Sequence, residues 1–466
     1  LWNSDESRIL TASSDGTARV WDAETGTRLV TLSGHAEAVW QAVWNRGESR
    51  ILTASSDGTA RVWDAETGAD LLILSGHAGG ISQALWNGDG RRVLTASSDG
   101  TAKVWDAEMG GELATLSGHE RGVNQAVWDG DTSRILTAGL DRTARVWDAE
   151  TGAELLTLSG HTGEVRQAVW NSDGSRILTA SRDGTARVWD AETGAELLTL
   201  SSQRAAIVSD PWGLRAVWNS DESRVLTASD DGMVRVWDIS TPPDAGAEAG
   251  AEMLTLSVSR YTVLQAVWNA DETRILTASR DGTARVWDVS ITLDTGAKTG
   301  AELVILSGHT GPVNQAGWNS DESRILTAGA DGTARTWDAK TGVELLTLLG
   351  HTHELWSAVW NGDESRILTA SSDGTARVWN AATGAELFTL SGHTGAVNQA
   401  VWSGDDRRIL TASDDGTVRQ WYAWMEDLLE AACQRAPRNM TREEWQEFMK
   451  DEPYRPSCPD LPTPGA

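Results

Sequence analysis

This chain is short of cysteine, of bases and of long apolar runs, and each shortage closes off a class of function. The only two cysteines, Cys433 and Cys458, both lie close to the C-terminus. Whether they pair stays open, but the rest of the chain has no thiol to cross-link, which suits a reducing compartment and predicts a cytoplasmic location. No stretch approaches the roughly 18 uninterrupted apolar residues of a membrane span, and nothing at the N-terminus reads as a signal peptide. Lys and Arg total 39 against 67 Asp and Glu, a formal net charge of −28. So acidic a chain repels phosphate backbones, and direct nucleic-acid binding is not expected. Of 8 histidines, all but His353 follow a glycine in one recurring slot. That leaves no cluster for a metal, the cysteines lack zinc-type spacing, and no phosphate-cradling Gly-Lys-Ser/Thr loop occurs. The expectation is a chain with no metal, no cofactor and no enzymatic activity.

What is present is repetition. Trp21, Trp63, Trp105, Trp147 and Trp189 are spaced by 42 residues, and Trp237, Trp287, Trp337, Trp379 and Trp421 follow at steps of 48, 50, 50, 42 and 42. All but Trp379 and Trp421 are followed by Asp. One unit shows how four strands arise. Ala38 to Asn45 reads as the first strand, turning at Asn45 to Ser49. Ile51 to Ser55 reads as the second, and Asp57-Gly58 is a strong two-residue hairpin signal. Thr59 to Asp64 and Leu71 to Leu74 supply the third and fourth. These strands are apolar on both faces, as expected for a small sheet sandwiched between neighbours.

The pattern resembles the WD-repeat family, over roughly nine-tenths of the chain. The resemblance implies an all-β propeller of four-stranded antiparallel blades and a non-catalytic, protein-binding role. It also implies a buried hydrogen-bond chain in each blade that has the Gly-His slot. The implied sets are His35, Thr53, Asp57 and Trp63; His77, Thr95, Asp99 and Trp105; His119, Thr137, Asp141 and Trp147; and His161, Thr179, Asp183 and Trp189. They continue with His309, Thr327, Asp331 and Trp337; His351, Thr369, Asp373 and Trp379; and His393, Thr411, Asp415 and Trp421. An Asp/His/Thr set might be mistaken for a nucleophilic triad, but repetition beside a tryptophan argues for structure. The units before Trp237 and Trp287 keep Thr227 with Asp231 and Thr277 with Asp281 but lack the histidine, which predicts looser outer edges.

Ten repeats exceed the four to eight blades of most closed propellers. The last unit has no fourth strand after Trp421. If Leu113 to Ser117 completes it, residues 111–422 form a seven-bladed ring and residues 1–110 are three blades of a second, truncated propeller. The alternative is one ring, or an open arc, of all ten. The chain starts at Leu1 partway through a unit, so it reads as the C-terminal piece of a longer protein. The loops from Ile239 to Glu252 and from Val289 to Glu302 read as surface excursions.

Near-copies within one chain can be compared with each other. Most positions repeat almost verbatim, and variation gathers at two. At the start of the first strand stand Trp40, Ser82, Asn124, Arg166, Leu214, Leu264, Asn314, Trp356 and Asn398. Before the turn aspartate stand Ser14, Ser56, Ser98, Leu140, Arg182, Asp230, Arg280, Ala330, Ser372 and Asp414. In the family both face the rim where the Gly-His loops meet the hairpin turns. Trp212 belongs to the same region, and exposed Trp and Arg are the types most enriched at binding hot spots. A constant scaffold with a varied face predicts a recognition surface.

After Tyr422 the composition changes. Met425 to Arg435 reads as an amphipathic helix, and Thr441 with Glu444 is a capping box opening a second, making 423–466 a short helical tail. The run from Asn439 to Trp445 and from Glu452 to Pro459 resembles the closing segment of bacterial multidomain WD-repeat proteins. The resemblance implies an effector and a STAND-type nucleoside-triphosphatase module ahead of the repeats, and a ligand-sensing role in signalling or defence. The rival expectation is a constitutive scaffold for complex assembly.

Overall fold

The computed structural model describes residues 1–201, 215–229, 231–239, 252–290, 300–415 and 417–424. Both long loops and the expected tail helices fall outside these residues, as do Trp212, Leu214 and Asp230.

Each unit folds into a small antiparallel meander whose strands lie in chain order. In the unit analysed above they are Val39–Trp44, Arg50–Ser55, Thr59–Asp64 and Asp70–Ser75. Asp57-Gly58 makes the predicted tight turn, with Gly58 at φ +79°, and a Cβ there would press on the carbonyl of His77 at 3.1 Å. Arg50–Ser55 is buried at every residue after its arginine, the two-sided burial of a sheet with a neighbour on each face. Among the described residues eight sheets have four strands, while the first and last have three.

Apolar side chains of one blade interlock with those of the next. Leu52, Val62 and Leu74 of the second blade, for example, pack on Ile81, Val93 and Trp105 of the third. The same arrangement runs through the fifth and sixth blades, where Leu178 and Val188 meet Val225 and Trp237. It ends where it began. Ile9 and Ala23 of the first blade pack on Leu410 of the last, the Tyr422 hydroxyl donates to the Glu24 carbonyl at 2.9 Å, and Arg408 donates to the Ala23 carbonyl.

The ten blades therefore form one ring, and the seven-plus-three partition is corrected. Its premise was that Leu113 to Ser117 leaves to complete the last blade. Instead Glu112–Ser117 is hydrogen-bonded to the third strand of its own blade, with Ala102 opposite Leu116 and Thr101 opposite Ser117. Among the described residues, blade ten meets blade one through side chains and turns, without a borrowed strand.

Because each sheet is a meander, its two acidic turns lie at one end and its Gly-His loop and Asp-Gly hairpin at the other. One face of the ring collects the acidic turns. The opposite face collects both variable series.

Candidate functional site: the varied mouth of the ring

The constant part of that face is the hydrogen-bond chain. In the second blade the Trp63 indole N–H donates to the Thr53 hydroxyl at 2.8 Å. The Thr53 hydroxyl lies 2.8 Å from His35 Nε2, and His35 Nδ1 lies 2.9 Å from the Asp57 carboxylate. Every group is satisfied if the imidazole is neutral with its proton on Nδ1: Thr53 donates to Nε2, and Nδ1–H donates to Asp57. The other six sets are built alike, with His Nε2 to Thr Oγ1 at 2.8 Å in each. Burial holds His35, His77, His119, His309 and His351 below their ordinary pKa, against the pull of the paired aspartates. Burial would raise the aspartates too, but hydrogen bonds outweigh it. Donors such as Thr59 and the Ala36 N–H hold Asp57 at about 2, and Asp99 and Asp373 sit at about 2 for the same reason. The histidine and aspartate side chains of these sets occupy interior positions.

The blades without histidine are not left open. Arg235 turns onto Asp231 at 3.0 Å, Arg285 onto Asp281 at 3.0 Å and, in the first blade, Arg19 onto Asp15 at 2.5 Å. Trp237 and Trp287 keep their threonine acceptors at 2.9 and 3.1 Å. The expected loosening is thus met by a substitute cation.

Against this constant frame the two variable positions share one property: the backbone places each of them in the same way whatever its side chain. Trp40, Ser82, Asn124, Arg166, Leu264, Asn314, Trp356 and Asn398 are each the unpaired residue of a β-bulge at the start of the innermost strand. A bulge residue has no cross-strand partner and is turned away from the ladder. The residue before the turn aspartate is fixed by its N–H, as where Ser56 donates to the Ala38 carbonyl at 2.9 Å and Arg182 to that of Glu164 at 2.9 Å. Among the described residues no member of either series is buried. Trp40 is 67 % exposed and Trp356 44 %.

The two series also meet. The Trp40 indole donates to the Ser56 hydroxyl, and Trp356 does the same to Ser372 at 2.9 Å. Asn398 donates to Asp414. Arg166 and Arg182 converge on Glu164 at 2.6 and 3.2 Å. Neighbouring blades are joined as well, since Asn124 donates to the Arg166 carbonyl at 3.1 Å and Asn314 to that of Leu355 at 2.8 Å. Leu140 lies against Gly122, beside the third and fourth blades' turns. Leu264 is half-buried and Arg280 exposed on the seventh blade. Trp40, Ser82, Asn124 and Arg166, with Gln41, Gln83, Gln125 and Gln167, line an open recess of about 420 Å³ at the inner edge of the ring. These glutamines tie blades together: Gln41 accepts from the Ala84 N–H at 2.9 Å and Gln83 from that of Ala126 at 3.0 Å.

With this geometry described, comparison with known proteins gives the family. The WD domain, G-beta repeat family matches residues 1–22, 26–64, 68–106, 110–148, 152–190, 197–238, 251–288, 300–338, 342–380 and 384–422. The chain belongs to the WD40 family. Among solved structures it is similar to the computationally designed Ika8 protein, at 23 % identity and a TM-score of 0.47, covering 84 % of this chain and 99 % of that one. No curated protein matches. WD40 propellers are generally non-enzymatic protein-interaction domains, and this one is consistent with a non-catalytic interaction scaffold. Among the described residues no group of three or more His, Cys, Asp or Glu could hold a metal, and no helix is long and apolar enough to cross a membrane.

Sequence reasoning missed the acidic turns of this WD40 ring. The strand and turn pattern alone does not mark them as contacts, yet many of the Asn-Ser-Asp-Glu-type turns are clamps between blades. Glu272 accepts from Asn219 Nδ2 at 2.8 Å and the Ser220 N–H at 2.6 Å, and Glu364 does so from Asn319 and Ser320 at 2.8 and 2.6 Å. Glu6 accepts from the Gly404 N–H and helps close the ring. A signal existed: the fourth residue of the Asn-Ser-Asp-Glu turn recurs although it sits at positive φ, 58° at Glu272 and 57° at Glu364, which costs a non-glycine residue roughly 1–2 kcal/mol.

Proposed function

We propose that this WD40 ring is a non-catalytic binding surface that recognises a protein partner through the varied mouth of the ring. One observation carries the reading: two variable series, separated by 16 residues in each unit, come together as side-chain pairs such as Trp356 with Ser372. Variation gathered at two positions of one face, on a backbone that does not change, is what a recognition surface on a fixed scaffold requires. Trp40, Trp356, Arg166, Arg182 and Arg280 are its anchor residues, because aromatic and guanidinium groups carry most of the energy at interfaces. Ser82, Asn124, Leu140, Leu264, Asn314 and Asn398 shape the surface between them; Trp212 and Leu214, expected in the same region from the sequence, lie outside the described residues.

The finer reading is a ligand sensor in the cytoplasm of a bacterium, relaying capture to nucleoside-triphosphatase and effector domains of the same protein. The closing run around Trp445 and Cys458 supports it by resemblance. The net charge of −28 supports a protein partner over nucleic acid. The test is affinity capture from uninfected and phage-infected bacterial lysates. The chain is compared with a Trp40→Ala, Arg166→Ala, Trp356→Ala variant of matched circular dichroism. A partner retained by the parent and lost by the variant supports recognition at the mouth. Equal capture by both sinks it, and a partner held regardless of infection favours the constitutive scaffold.

A further inference from the structure

The mouth of the ring is unevenly charged. At their loop, bulge and hairpin positions the fourth, fifth and seventh blades carry Arg121, Arg142, Arg166, Arg182, Arg260 and Arg280. The same positions on the second, third, eighth, ninth and tenth blades hold no lysine or arginine, and Glu37, Glu354 and Asp414 stand among them. In a chain of net charge −28 this is a local reversal of sign. Screening limits the reach of the acids on the opposite face to about 8 Å at physiological ionic strength, so the arginines set the potential of their own sector.

The fold brings four of them together. The Arg121 loop lies against the third blade, where a Cβ at Gly100 would stand 3.1 Å from the Arg121 carbonyl. It is tied to the hairpin that carries Arg142, because the Leu140 N–H donates to the Gly122 carbonyl at 2.9 Å. By the same repeat Arg142 stands beside the loop that carries Glu164. There Arg166 and Arg182 share the Glu164 carboxylate at 2.6 and 3.2 Å. Glu120 and Glu164 are the acids of this sector's loops, against four arginines. Arg121 and Arg142 are exposed, and among the described residues neither has an ion-pair partner.

Arg142 is the most informative of the four. Every other unit has glycine after the turn aspartate, as Gly58 at φ +79° and Gly100 at φ +88°. Arg142 adopts φ +77° in that place, a conformation that L side chains disfavour. The glutamates Glu272 and Glu364, also at positive φ, bond across blades and so serve the fold. Arg142 makes no such side-chain bond among the described residues, and unfavourable backbone without a local partner gathers at binding sites.

We infer that the sector over the fourth and fifth blades is the acceptor for a short acidic segment, rich in Asp and Glu, of the protein partner; this assignment rests on the mouth being the recognition face. The guanidinium groups of Arg121 and Arg142 donate paired N–H bonds to carboxylates. Arg166 and Arg182, fixed by Glu164, add a second pair of charges beside them. Glu37, Glu354 and Asp414 elsewhere on the mouth confine the segment to this sector and repel a long polyphosphate crossing it.

The test is a fluorescein-labelled peptide, Gly-Glu-Asp-Glu-Glu-Asp-Gly, titrated into the full chain by fluorescence anisotropy. Its amide counterpart, Gly-Gln-Asn-Gln-Gln-Asn-Gly, and an oligothymidylate of equal charge serve as comparisons. Saturable one-to-one binding of the acidic peptide is expected, weakening as salt rises and absent with the amide peptide. Arg142→Gly should weaken it about fivefold and at the same time raise the thermal midpoint, because glycine relieves the turn. Binding lost while stability is gained cannot be a folding defect. The inference is overturned by absence of saturable binding, by equal affinity of the Arg142→Gly variant, or by a lowered midpoint in it, which would make Arg142 part of the fold. Tighter binding of the oligothymidylate also overturns it, by assigning the sector to phosphate. Trp40 and Trp356 lie on the second and ninth blades, away from this sector. Partner capture that depends on them without acidic-peptide binding overturns only the ligand assigned here, whereas capture indifferent to them overturns recognition at the mouth itself.

Discussion

At the residue scale, the repeated Trp–Thr–His–Asp chain makes predictions that the ring controls internally. Thr137→Val leaves the Trp147 indole N–H without the acceptor it has at 2.8 Å and takes the donor from His119 Nε2. Stranding buried polar groups costs about 1–3 kcal/mol each. Thr227→Val strands only the Trp237 N–H, because that blade has no histidine in the chain. The first substitution should therefore lower the denaturation midpoint more than the second, and equal shifts would argue against the relay. The pH dependence follows in sign. Buried His35, His77, His119, His309 and His351 titrate below 6.5 in the folded ring, so the unfolded chain binds more protons as pH falls through that value. Their stabilisation is complete above 6.5 and declines below it. Asp57, Asp99 and Asp373, held at about 2 against an ordinary 3.8, add a second loss only between those two values. Hydrogen exchange should show the first loss in the second, third, fourth, eighth and ninth blades, which hold these five histidines, and not in the sixth and seventh, where arginine takes the place of histidine.

At the element scale, strands were legible in the sequence and the bonds between blades were not. The hairpin at Asp57-Gly58 and the strand Thr59–Asp64 are written into adjacent residues, so local pattern sufficed. The pairing of Glu364 with Asn319 and Ser320 spans two units, and periodicity alone cannot tell a clamp from a solvated turn. The same holds for Arg134, which stacks 4.6 Å over the Trp170 ring of the next blade and donates to its Ala191 carbonyl at 3.2 Å. Such a clamp is testable. Glu364→Ala removes both bonds and the contact with Arg324 at 3.1 Å. It should cost about 1–3 kcal/mol and speed exchange between the eighth and ninth blades, while the varied face stays unchanged. Unaltered exchange there would return the turn to the role of solubilising charge. The variable positions were legible as variable, yet their pairing was not. Trp40 and Ser56 are brought together by a bulge and a turn that only the folded sheet shows.

At the scale of the whole molecule, closure decides everything above it. Blade number depends on a small rotation between neighbours that no short motif encodes, and the same repeat could be read as seven blades and three. Among the described residues the closing interface is also the thinnest. Its buried apolar residues are Ile9, Ala23 and Leu410, against the ten of the junction between the second and third blades. Opening should start there, with amides of the first and last blades exchanging first under mild denaturant. One closed ring sets the variable pairs around a single mouth; two partial propellers would divide them between separate surfaces. The most direct measurement is therefore electron microscopy of the purified chain viewed down the ring axis. Class averages with ten lobes around one opening are the result this account predicts. A seven-lobed ring with a separate three-lobed arc would contradict it, and with it the single recognition surface.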